Sequence, residues 1–137
     1  DYARLHEFRY AIRAFLSFSE SAARAAGLDP QQHQLLLTVK ARSGEHGITI
    51  SEAAERMFLK HHSTVELVDR AYRNGLLVRM RDENDRRVVR LLVTEKGQAI
   101  QSELSAHHLN ELRSAGPRLV TALQAILKSL EEADAAD

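Results

Sequence analysis

Two adjacent arginines, Arg86 and Arg87, lie between four polar turn residues and an apolar run in the segment DENDRRVVRLLVTEKG, residues 82–97. Guanidinium groups at the tip of a turn can reach phosphate oxygens, and the negative potential of A·T-rich minor grooves attracts arginine. Asp85 could pair with Arg87 and hold that side chain extended. The alternative is two solvated charges on an exposed turn, so the neighbouring elements must decide between the two interpretations.

A second group of polar side chains begins the segment HHSTVELVDRAYRNG, residues 61–75. At the start of a helix that enters the major groove, such residues can contact base edges. His61 and His62 could donate hydrogen bonds to guanine or to phosphate, or they could simply be solvated. Ser63 and Thr64 could contact bases or cap the helix, and these two roles are compatible.

Further polar residues extend this candidate surface. Glu66, which could accept a hydrogen bond from cytosine N4, and Arg70 continue the polar side of the same helix at i+4 spacing. Arg79 flanks the hairpin as a phosphate contact or a surface charge, and Ser51 could bind a phosphate with the amides that begin the preceding helix. The candidate DNA-binding residues are Ser51, Lys60, His61, His62, Ser63, Thr64, Glu66, Arg70, Arg79, Asp85, Arg86 and Arg87.

The charge distribution favours a nucleic-acid partner more than the total does. The formal net charge is zero, which alone argues against such a partner. Residues 60–90, however, contain eight Lys or Arg and five Asp or Glu, a balance of +3 before any charge on histidine. Residues 98–137 contain three cations and six acids, a balance of −3. The chain is therefore basic where the candidate residues lie.

The composition excludes several other classes of protein. With 137 residues, 44% hydrophobic and 28% charged, the chain suits one globular domain. The absence of cysteine excludes disulfides, thiolate metal sites and thiol catalysis. No apolar run approaches the roughly 18 residues needed to span a bilayer, and the first ten residues do not resemble a signal peptide. We therefore expect a cytoplasmic, nucleoid-associated protein without a membrane partner.

Catalytic and metal-binding motifs are also missing from the sequence. It contains no Gly-rich phosphate loop, no nucleophile elbow and no His-acid pair at catalytic spacing, so we expect no enzyme. No H-x3-H pair occurs, and two adjacent histidines on a helix cannot face one ion, so we expect no metal site.

Local patterns predict two helices ahead of the candidate surface. Small or apolar side chains recur three and four residues apart from Leu5 to Ala26, a helical stripe that Gly27 ends. Asp29 is the predicted cap of a second helix, which has a proline in its first turn and extends to about Arg42.

A third, short helix follows a glycine-bounded loop. Thr49 and Glu52 form a T-x-x-E capping box at its start. Ile48 and Ile50, on either side of Thr49, can form a brief strand. The apolar positions predicted for this helix are Ala53, Ala54, Met57 and Phe58. With the recognition helix at 61–74 it forms a helix-turn-helix.

After Gly75 the pattern changes from helical to extended. The runs LLVRMRD and RRVVRLLV flank the turn residues DEND and predict a β-hairpin. Thr94 begins a helix that we expect to end near Ala115, because Gly116 and Pro117 break helices. A final helix then carries an apolar stripe at Leu119, Leu123, Ile126, Leu130 and Ala133.

The predicted fold is mostly α (α+β): a winged helix-turn-helix with N- and C-terminal dimerisation helices. The apolar stripes of the outer helices are long for a monomer of this size, and a second copy is the simplest partner to bury them. We therefore predict an N-terminal dimerisation helix at 1–27, a DNA-binding winged domain at 28–97 and C-terminal dimerisation helices at 98–137.

At this point three segments resemble the MarR family of bacterial transcriptional regulators. RDENDRRVVRLLVTEKG resembles the family's D-x-x-D-R-R, apolar strand, L-T-x-x-G pattern. ITISEAAERM is similar to the family's third helix, and HHSTVELVDRAYRNGLLVR is similar to its recognition helix and the start of its hairpin. Asn84 in the turn departs from the commonest pattern with little consequence, whereas Glu66 on the recognition helix leaves base preference open.

The resemblance implies a homodimer that places one winged helix-turn-helix on each half of a pseudo-palindromic operator in duplex DNA. The recognition helix would enter the major groove, and the wing, residues 79–90, would approach the minor groove. It also implies repression that is relieved by a small phenolic or anionic ligand rather than by a resident cofactor. The alternative is a winged-helix protein-interaction module without DNA binding, which the neutral net charge and Glu66 favour slightly.

The inducer site is less evident from the sequence. His6, Arg9 and Arg13 on the first helix and His33 on the second could bind a carboxylate or phenolate, and His107 and His108 lie on the fifth helix. For each of these residues, a surface or dimer salt bridge is the alternative.

Overall fold

The computed structural model describes residues 1–137 as five α-helices and one small antiparallel sheet. The helices are α1 (Tyr2–Ala25), α2 (Pro30–Arg42), α3 (Ile50–Met57), α4 (His61–Arg73) and α5 (Glu95–Ala136), and the strands are β1 (Ile48–Thr49), β2 (Leu77–Arg81) and β3 (Val89–Val93). The chain divides into two compact units. The central unit is residues 23–104, and the terminal unit combines residues 1–22 with residues 105–137.

The core of the central unit forms where α2, α3 and α4 meet the sheet. Its fully buried side chains include Leu35, Leu36, Val39, Ile48, Leu67, Val68, Leu76, Leu77 and Leu91. Burying one such aliphatic side chain contributes about 1.5–3 kcal/mol, so this cluster holds the helix-turn-helix against the hairpin. The predicted helix-turn-helix and hairpin are thereby confirmed as elements of one compact unit.

Side-chain caps define where α2 and α3 begin. The Asp29 carboxylate accepts hydrogen bonds from the backbone N–H groups of Gln31 (2.8 Å) and Gln32 (3.4 Å). The Thr49 hydroxyl accepts one from the N–H of Glu52 at 3.1 Å. Both predicted caps are confirmed. The Thr49 hydroxyl in turn donates to the Glu52 carboxylate at 3.4 Å, in place of the bond from the Thr49 backbone N–H that a full capping box contains.

The sheet has the strand order β1-β3-β2, and both pairings are antiparallel. Ile48 pairs with Leu91, and Leu77 pairs with Val93. The predicted brief strand ends at Thr49, because Ile50 is already the first residue of α3. Gly47 precedes β1 with φ +82°, and a Cβ there would lie 2.5 Å from the Leu91 carbonyl oxygen. Only glycine allows β1 to approach β3 so closely.

The C-terminal part of the chain is one helix of 42 residues and not two, so the predicted break at Gly116 and Pro117 is wrong. Pro117 has no N–H to donate to the carbonyl of Arg113, but a single missing bond need not end a helix with many other bonds. Gly116 relieves one further obstacle, because the clash between a proline ring and the Cβ of the preceding residue does not arise at glycine, whereas the ring's clash with the Arg113 carbonyl remains.

The terminal unit contains most of α1 and the greater part of α5. His108 Nε2 lies 2.6 Å from the Ser19 hydroxyl oxygen, and its ring makes edge contacts with Phe15 and Phe18. Many apolar side chains of this unit are nevertheless exposed: Leu5, Leu16, Leu109, Val120, Leu123, Leu127 and Leu130. None of the five helices combines the length and the apolarity that a membrane crossing requires.

Candidate nucleic-acid interface

The recognition helix α4 begins without a side-chain cap. Its N-cap residue is Lys60, and no side chain there accepts a hydrogen bond from the first turn. Of the two roles left open for Ser63 and Thr64, capping of α4 is therefore not observed. Thr64 is fully buried, and its hydroxyl donates to the Lys60 carbonyl at 3.0 Å. Its place in the core is inconsistent with contact to a base, and we correct the candidate set accordingly.

The other polar residues of α4 face outward. His61, His62 and Glu66 are exposed, and Ser63 is half-buried beside them. Thr64, Leu67, Val68 and Ala71 form the buried side of the helix. The structure thus presents the first turn of α4 to solvent while the opposite side anchors it in the core, as a groove-reading helix requires.

Arg70 is held by the second helix. Its Nη1 donates to the Asp29 carboxylate at 2.9 Å, across 41 residues of sequence. Asp29 therefore caps α2 with one oxygen and binds Arg70 with the other. Arg70 and Asp29 are both partly exposed, so the guanidinium keeps other N–H donors open to solvent.

Arg79 is held by the recognition helix. Its guanidinium forms an ion pair with Asp69 and lies 4.3 Å above the ring centre of Tyr72. Asp69 and Tyr72 belong to α4, whereas Arg79 belongs to β2. This contact links the recognition helix directly to the wing, a role that the sequence interpretation of Arg79 as a phosphate contact or surface charge did not include.

The loop between β2 and β3, residues 82–88, is organised by Asp82. This carboxylate accepts hydrogen bonds from the backbone N–H groups of Asn84 and Asp85 and from the guanidinium of Arg90 at 2.8 Å. The Arg90 bond and then the Asp85 amide hold the pKa of Asp82 below its ordinary value of 3.8. The carboxylate is therefore ionised at neutral pH and fixes the base of the wing.

Asp85 and Arg87 form the pair that the sequence predicts. Arg87 donates from Nε and Nη2 to the two Asp85 carboxylate oxygens at 3.0 and 3.1 Å. This pairing lowers the pKa of Asp85 and raises that of Arg87. The Arg87 side chain is nonetheless 91% exposed, so Asp85 orients the guanidinium without covering it. Three of its five N–H donors remain for another acceptor.

Arg86 is exposed beside this pair. Its backbone carbonyl accepts a hydrogen bond from Arg81 Nη1 at 2.8 Å. This bond joins the end of β2 to the loop of the wing. The two wing arginines thus differ: Arg87 is pre-oriented by a carboxylate, whereas the Arg86 side chain extends from a fixed backbone with no ion pair of its own.

The first turn of α3, the first turn of α4 and the wing border one surface concavity of about 330 Å³. Ser51, His61 and Arg87 all line it, together with Thr49, Ile50, Val88 and Val89. Three candidate residues from three separate elements therefore border the same space. Their convergence was not predictable from spacing, because residues 51, 61 and 87 are adjacent only in the folded unit.

The candidate inducer residues are distributed differently. His6, Arg9 and Arg13 are exposed on α1, where the His6 ring stacks on Tyr10 with ring centres 6.3 Å apart. His33 is buried in α2. None of these residues lines the apolar concavity of about 500 Å³ that the terminal unit forms between α1 and α5. No group of three or more His, Cys, Asp or Glu side chains is arranged to hold a metal ion.

Sequence reasoning missed the residues that position the contacts rather than make them. Asp29, Asp69, Asp82 and Arg90 each hold an arginine or a loop in place. For Asp82 a signal existed, since aspartate followed by turn residues commonly accepts hydrogen bonds from the backbone amides of a loop. For Asp69 no local signal existed, because its partner lies on another element.

A helix-turn-helix followed by a β-hairpin with an arginine-bearing tip defines a winged helix-turn-helix protein. Residues 26–88 match the model of the MarR family. Over 66 residues the chain is 36% identical to the uncharacterized HTH-type transcriptional regulator YsmB of Bacillus subtilis. This alignment covers 48% of the chain and 45% of YsmB. The winged region, residues 26–88, therefore belongs to the MarR family of transcriptional regulators.

Solved structures share the fold at low sequence identity. A mutant MarR from E. coli complexed with operator DNA has a TM-score of 0.70, 18% identity and 89% coverage of each chain. CouR from Rhodococcus jostii RHA1 bound to p-coumaroyl-CoA has a TM-score of 0.65, 24% identity and coverage of 86% of this chain and 82% of CouR. The chain spans about half the length of the curated relatives it matches.

Proposed function

We propose that this protein is a ligand-responsive transcriptional repressor that binds pseudo-palindromic duplex DNA as a homodimer. In this proposal the first turn of α4 reads the major groove through His61, His62 and Ser63, and the wing carries Arg86 and Arg87 towards the minor groove. Ser51 and Lys60 contact phosphates at the edge of the same groove. Glu66 faces the bases, where an acid accepts from cytosine and disfavours other partners.

The observation that carries this proposal is the convergence of three elements on one space. Ser51, His61 and Arg87 border a single concavity, and Asp85 orients Arg87 without covering it. Hydroxyl, imidazole and guanidinium groups are the donors that proteins use for phosphate and base edges.

Dimerisation is part of the proposal because the terminal unit leaves apolar side chains uncovered. Leu109 is 67% exposed, and Val120, Leu127 and Leu130 are each at least half exposed. A second copy placed symmetrically would cover these residues on both chains. An inverted repeat presents two half-sites about one helical turn of DNA apart, and a homodimer supplies the two recognition helices that such a site requires.

The effector is proposed by class only. CouR is bound to p-coumaroyl-CoA, an anionic phenolic ligand, and we propose a small phenolic or anionic effector for this protein as well. Arg9 and Arg13 on α1 are exposed cations that could bind such an anion, with His6 beside them. His33 is the weaker candidate, since it is buried in α2.

The test is a binding titration with duplexes selected from a random pool by the wild-type protein. We expect an inverted repeat, a stoichiometry of two chains per duplex and an affinity that falls steeply as salt rises, because bound phosphates release counterions. Arg87→Ala should weaken binding to all sequences and reduce the salt dependence, whereas His62→Ala should change the preferred bases. Arg42→Ala, which removes an exposed cation at the end of α2, is the matched control.

Two results would contradict the proposal. If no duplex is enriched over the starting pool, the protein-interaction alternative is favoured. If light scattering at micromolar concentration finds only single chains while DNA still binds, the dimeric arrangement is wrong.

A further inference from the structure

Phe58 is an exposed aromatic residue in the turn of the helix-turn-helix. It follows α3 directly, and its side chain is 95% exposed, the highest value among the large apolar residues. Its backbone is left-handed, with φ 55° and ψ 40°. No other residue except glycine has a positive φ in this chain. The sequence pattern had assigned Phe58 to the apolar face of α3, and the structure contradicts that assignment.

The same helix-ending geometry occurs three times in the central unit. In each case a left-handed residue lies one or two positions past the end of the helix, and the N–H of the leucine that follows it donates to the carbonyl five residues earlier. The bonds are Leu28 to Ala23 (2.9 Å), Leu59 to Ala54 (3.0 Å) and Leu76 to Ala71 (2.9 Å). The left-handed residues are Gly27, Phe58 and Gly75. Glycine is the usual residue at this position, because a Cβ is unfavourable in the left-handed region.

Phenylalanine therefore stands where the geometry favours glycine. The left-handed backbone strains the residue, and the exposed phenyl ring gains nothing from burial in the free protein. Neither feature stabilises the central unit. Strained residues of this kind concentrate at functional sites, so the side chain points to a contact outside the chain.

The surroundings of Phe58 indicate the chemistry of that contact. Residues 56–65, which lie between the exposed acids Glu55 and Glu66, contain two cations, two histidines and no acid of their own. Arg56, Lys60, His61 and His62 are all exposed. An apolar ring among cations fits a partner that carries negative charge beside apolar groups. Duplex DNA has both, since thymine C5-methyl groups and deoxyribose carbons lie next to phosphates at the edge of the major groove.

We propose that Phe58 is a further DNA-contacting residue, which packs on thymine methyl groups or deoxyribose carbons beside the recognition helix. This inference rests on the proposed function, because it requires the first turn of α4 to enter the major groove. A phenyl ring three residues ahead of His61 would meet the groove edge as the helix enters. Contact with a thymine methyl would add sequence preference, whereas contact with deoxyribose would add affinity alone.

The experiment compares Phe58→Gly, Phe58→Asn and Phe58→Leu with wild type on a duplex that the wild-type protein selected. Glycine and asparagine suit the left-handed backbone, so we expect a Tm equal to or above that of wild type. We expect both variants to bind DNA about tenfold more weakly, while Phe58→Leu retains most of the affinity. Leu37→Gln, which removes a 43% exposed apolar side chain from α2, is the matched control.

Two readouts separate an apolar contact from a general structural effect. Loss of an apolar contact lowers affinity without changing the slope of log affinity against log salt, because no counterion is involved. Replacing thymine by deoxyuridine in the duplex removes the C5-methyl group. If the ring contacts the methyl group, the deoxyuridine duplex should bind wild type more weakly and should bind Phe58→Gly as before. If deoxyuridine changes the affinity of neither protein, the weakened binding of Phe58→Gly assigns the contact to deoxyribose.

The inference is overturned if wild type and Phe58→Gly bind the selected duplex equally. It is also overturned if Phe58→Gly loses binding only to anionic phosphatidylglycerol vesicles, which would make the partner a lipid surface. A wild-type protein that enriches no duplex would instead contradict the proposed function itself. The two failures are therefore distinguishable.

Discussion

The Asp69 carboxylate and the Arg79 guanidinium form an ion pair that joins the recognition helix to the first strand of the wing. Tyr72, one turn further along α4, lies under the same guanidinium at 4.3 Å. Because one arginine contacts two residues of α4, a shift of the wing relative to the helix would break both contacts. These two contacts of Arg79 set in part the distance between α4 and the wing arginines.

The first prediction concerns the coupling free energy of the Asp69–Arg79 ion pair. Both charged side chains are 38% exposed, so solvent screens the pair, and we expect a coupling free energy of about 0.5–1 kcal/mol. Asp69→Asn and Arg79→Gln should each lower the free energy of unfolding, and the double variant should lose no more than the larger single loss. Urea unfolding at one fixed protein concentration measures this cycle.

A second ion pair is the control for that cycle. Lys128 and Glu132 on α5 are 3.9 Å apart, with side chains 78% and 67% exposed. Their coupling should be close to zero, because the pair is longer and more solvated. Fully additive losses for Asp69 and Arg79 would show that the observed contact contributes nothing to stability.

The second prediction concerns the pH dependence of the wing. The Arg90 hydrogen bond lowers the pKa of Asp82, and the Arg87 hydrogen bond lowers that of Asp85, both from an ordinary value of 3.8. Each carboxylate therefore stabilises the folded wing fully above the unfolded-state pKa near 3.8, and this contribution is lost as the pH falls through the lower folded-state pKa. The wing should be insensitive to pH between about 5 and 8.

Carboxyl-carbon NMR titration measures both groups directly. In Arg87→Gln the pKa of Asp85 should rise towards 3.8, because its largest stabilising partner is removed, while that of Asp82 should stay low. In Arg90→Gln the pKa of Asp82 should rise towards 3.8, while that of Asp85 should stay low. An Asp85 titration that does not respond to Arg87→Gln would mean that the ion pair is not populated in solution.

Local signals in the sequence were sufficient for the elements and for contacts within them. The Asp29 and Thr49 caps and the Asp85–Arg87 pair involve residues two or three positions apart, so their geometry follows from the local backbone. Thr64 was also within reach of sequence reasoning. It precedes Leu67, Val68 and Ala71 at the spacing of one helix face, which should have assigned it to the core.

Contacts between elements were not accessible in the same way. Arg70 meets Asp29 across 41 residues, and nothing in either local pattern selects the partner. The continuity of α5 was missed for a different reason. Gly116 and Pro117 each weaken a helix separately, but together they avoid the clash between the proline ring and a preceding Cβ, and single-residue rules do not include that combination.

The third prediction tests the close approach of α5 to the sheet. A Cβ on Gly97 would lie 2.4 Å from the Leu76 carbonyl oxygen and 2.8 Å from Val93 Cγ1. In an open helix, Gly→Ala stabilises by up to about 1 kcal/mol, but here the backbone oxygen cannot yield easily. We expect Gly97→Ala to destabilise the protein by about 1–3 kcal/mol. Thermal unfolding shows whether Gly97→Ala raises or lowers the stability of the protein. The control is Ser102→Ala, at an exposed position of the same helix.

If Gly97→Ala is as stable as wild type, α5 does not approach the sheet as closely as the structure indicates. Ser102→Ala removes the exposed hydrogen bond from Gln98 Nε2 to the Ser102 hydroxyl (3.1 Å) but gains helix propensity, so we expect a change in the free energy of unfolding within about 0.5 kcal/mol. A large loss in that control would instead point to a general sensitivity of the helix start.

The fourth prediction tests whether α5 is continuous through its proline. Pro117 lies inside the helix, where a proline lacks the N–H that would bond to the Arg113 carbonyl and costs about 3 kcal/mol relative to alanine. If the helix is continuous, Pro117→Ala restores that bond, and we expect the free energy of unfolding to rise by about 2–3 kcal/mol. Circular dichroism should show no change in helix content, because the residues around position 117 are already helical.

The chain offers a matched control, because its other proline occupies a favourable site. Pro30 is the first residue of α2, where the missing N–H has no helical partner and the fixed φ suits the helix. Pro30→Ala should therefore be neutral or destabilising while Pro117→Ala stabilises. If Pro117→Ala increased helix content or left stability unchanged, the C-terminal region would consist of two helices separated at Gly116, as the sequence pattern alone suggests. Opposite signs for the two substitutions would establish that the apolar side chains before and after Pro117 lie on one helical rod.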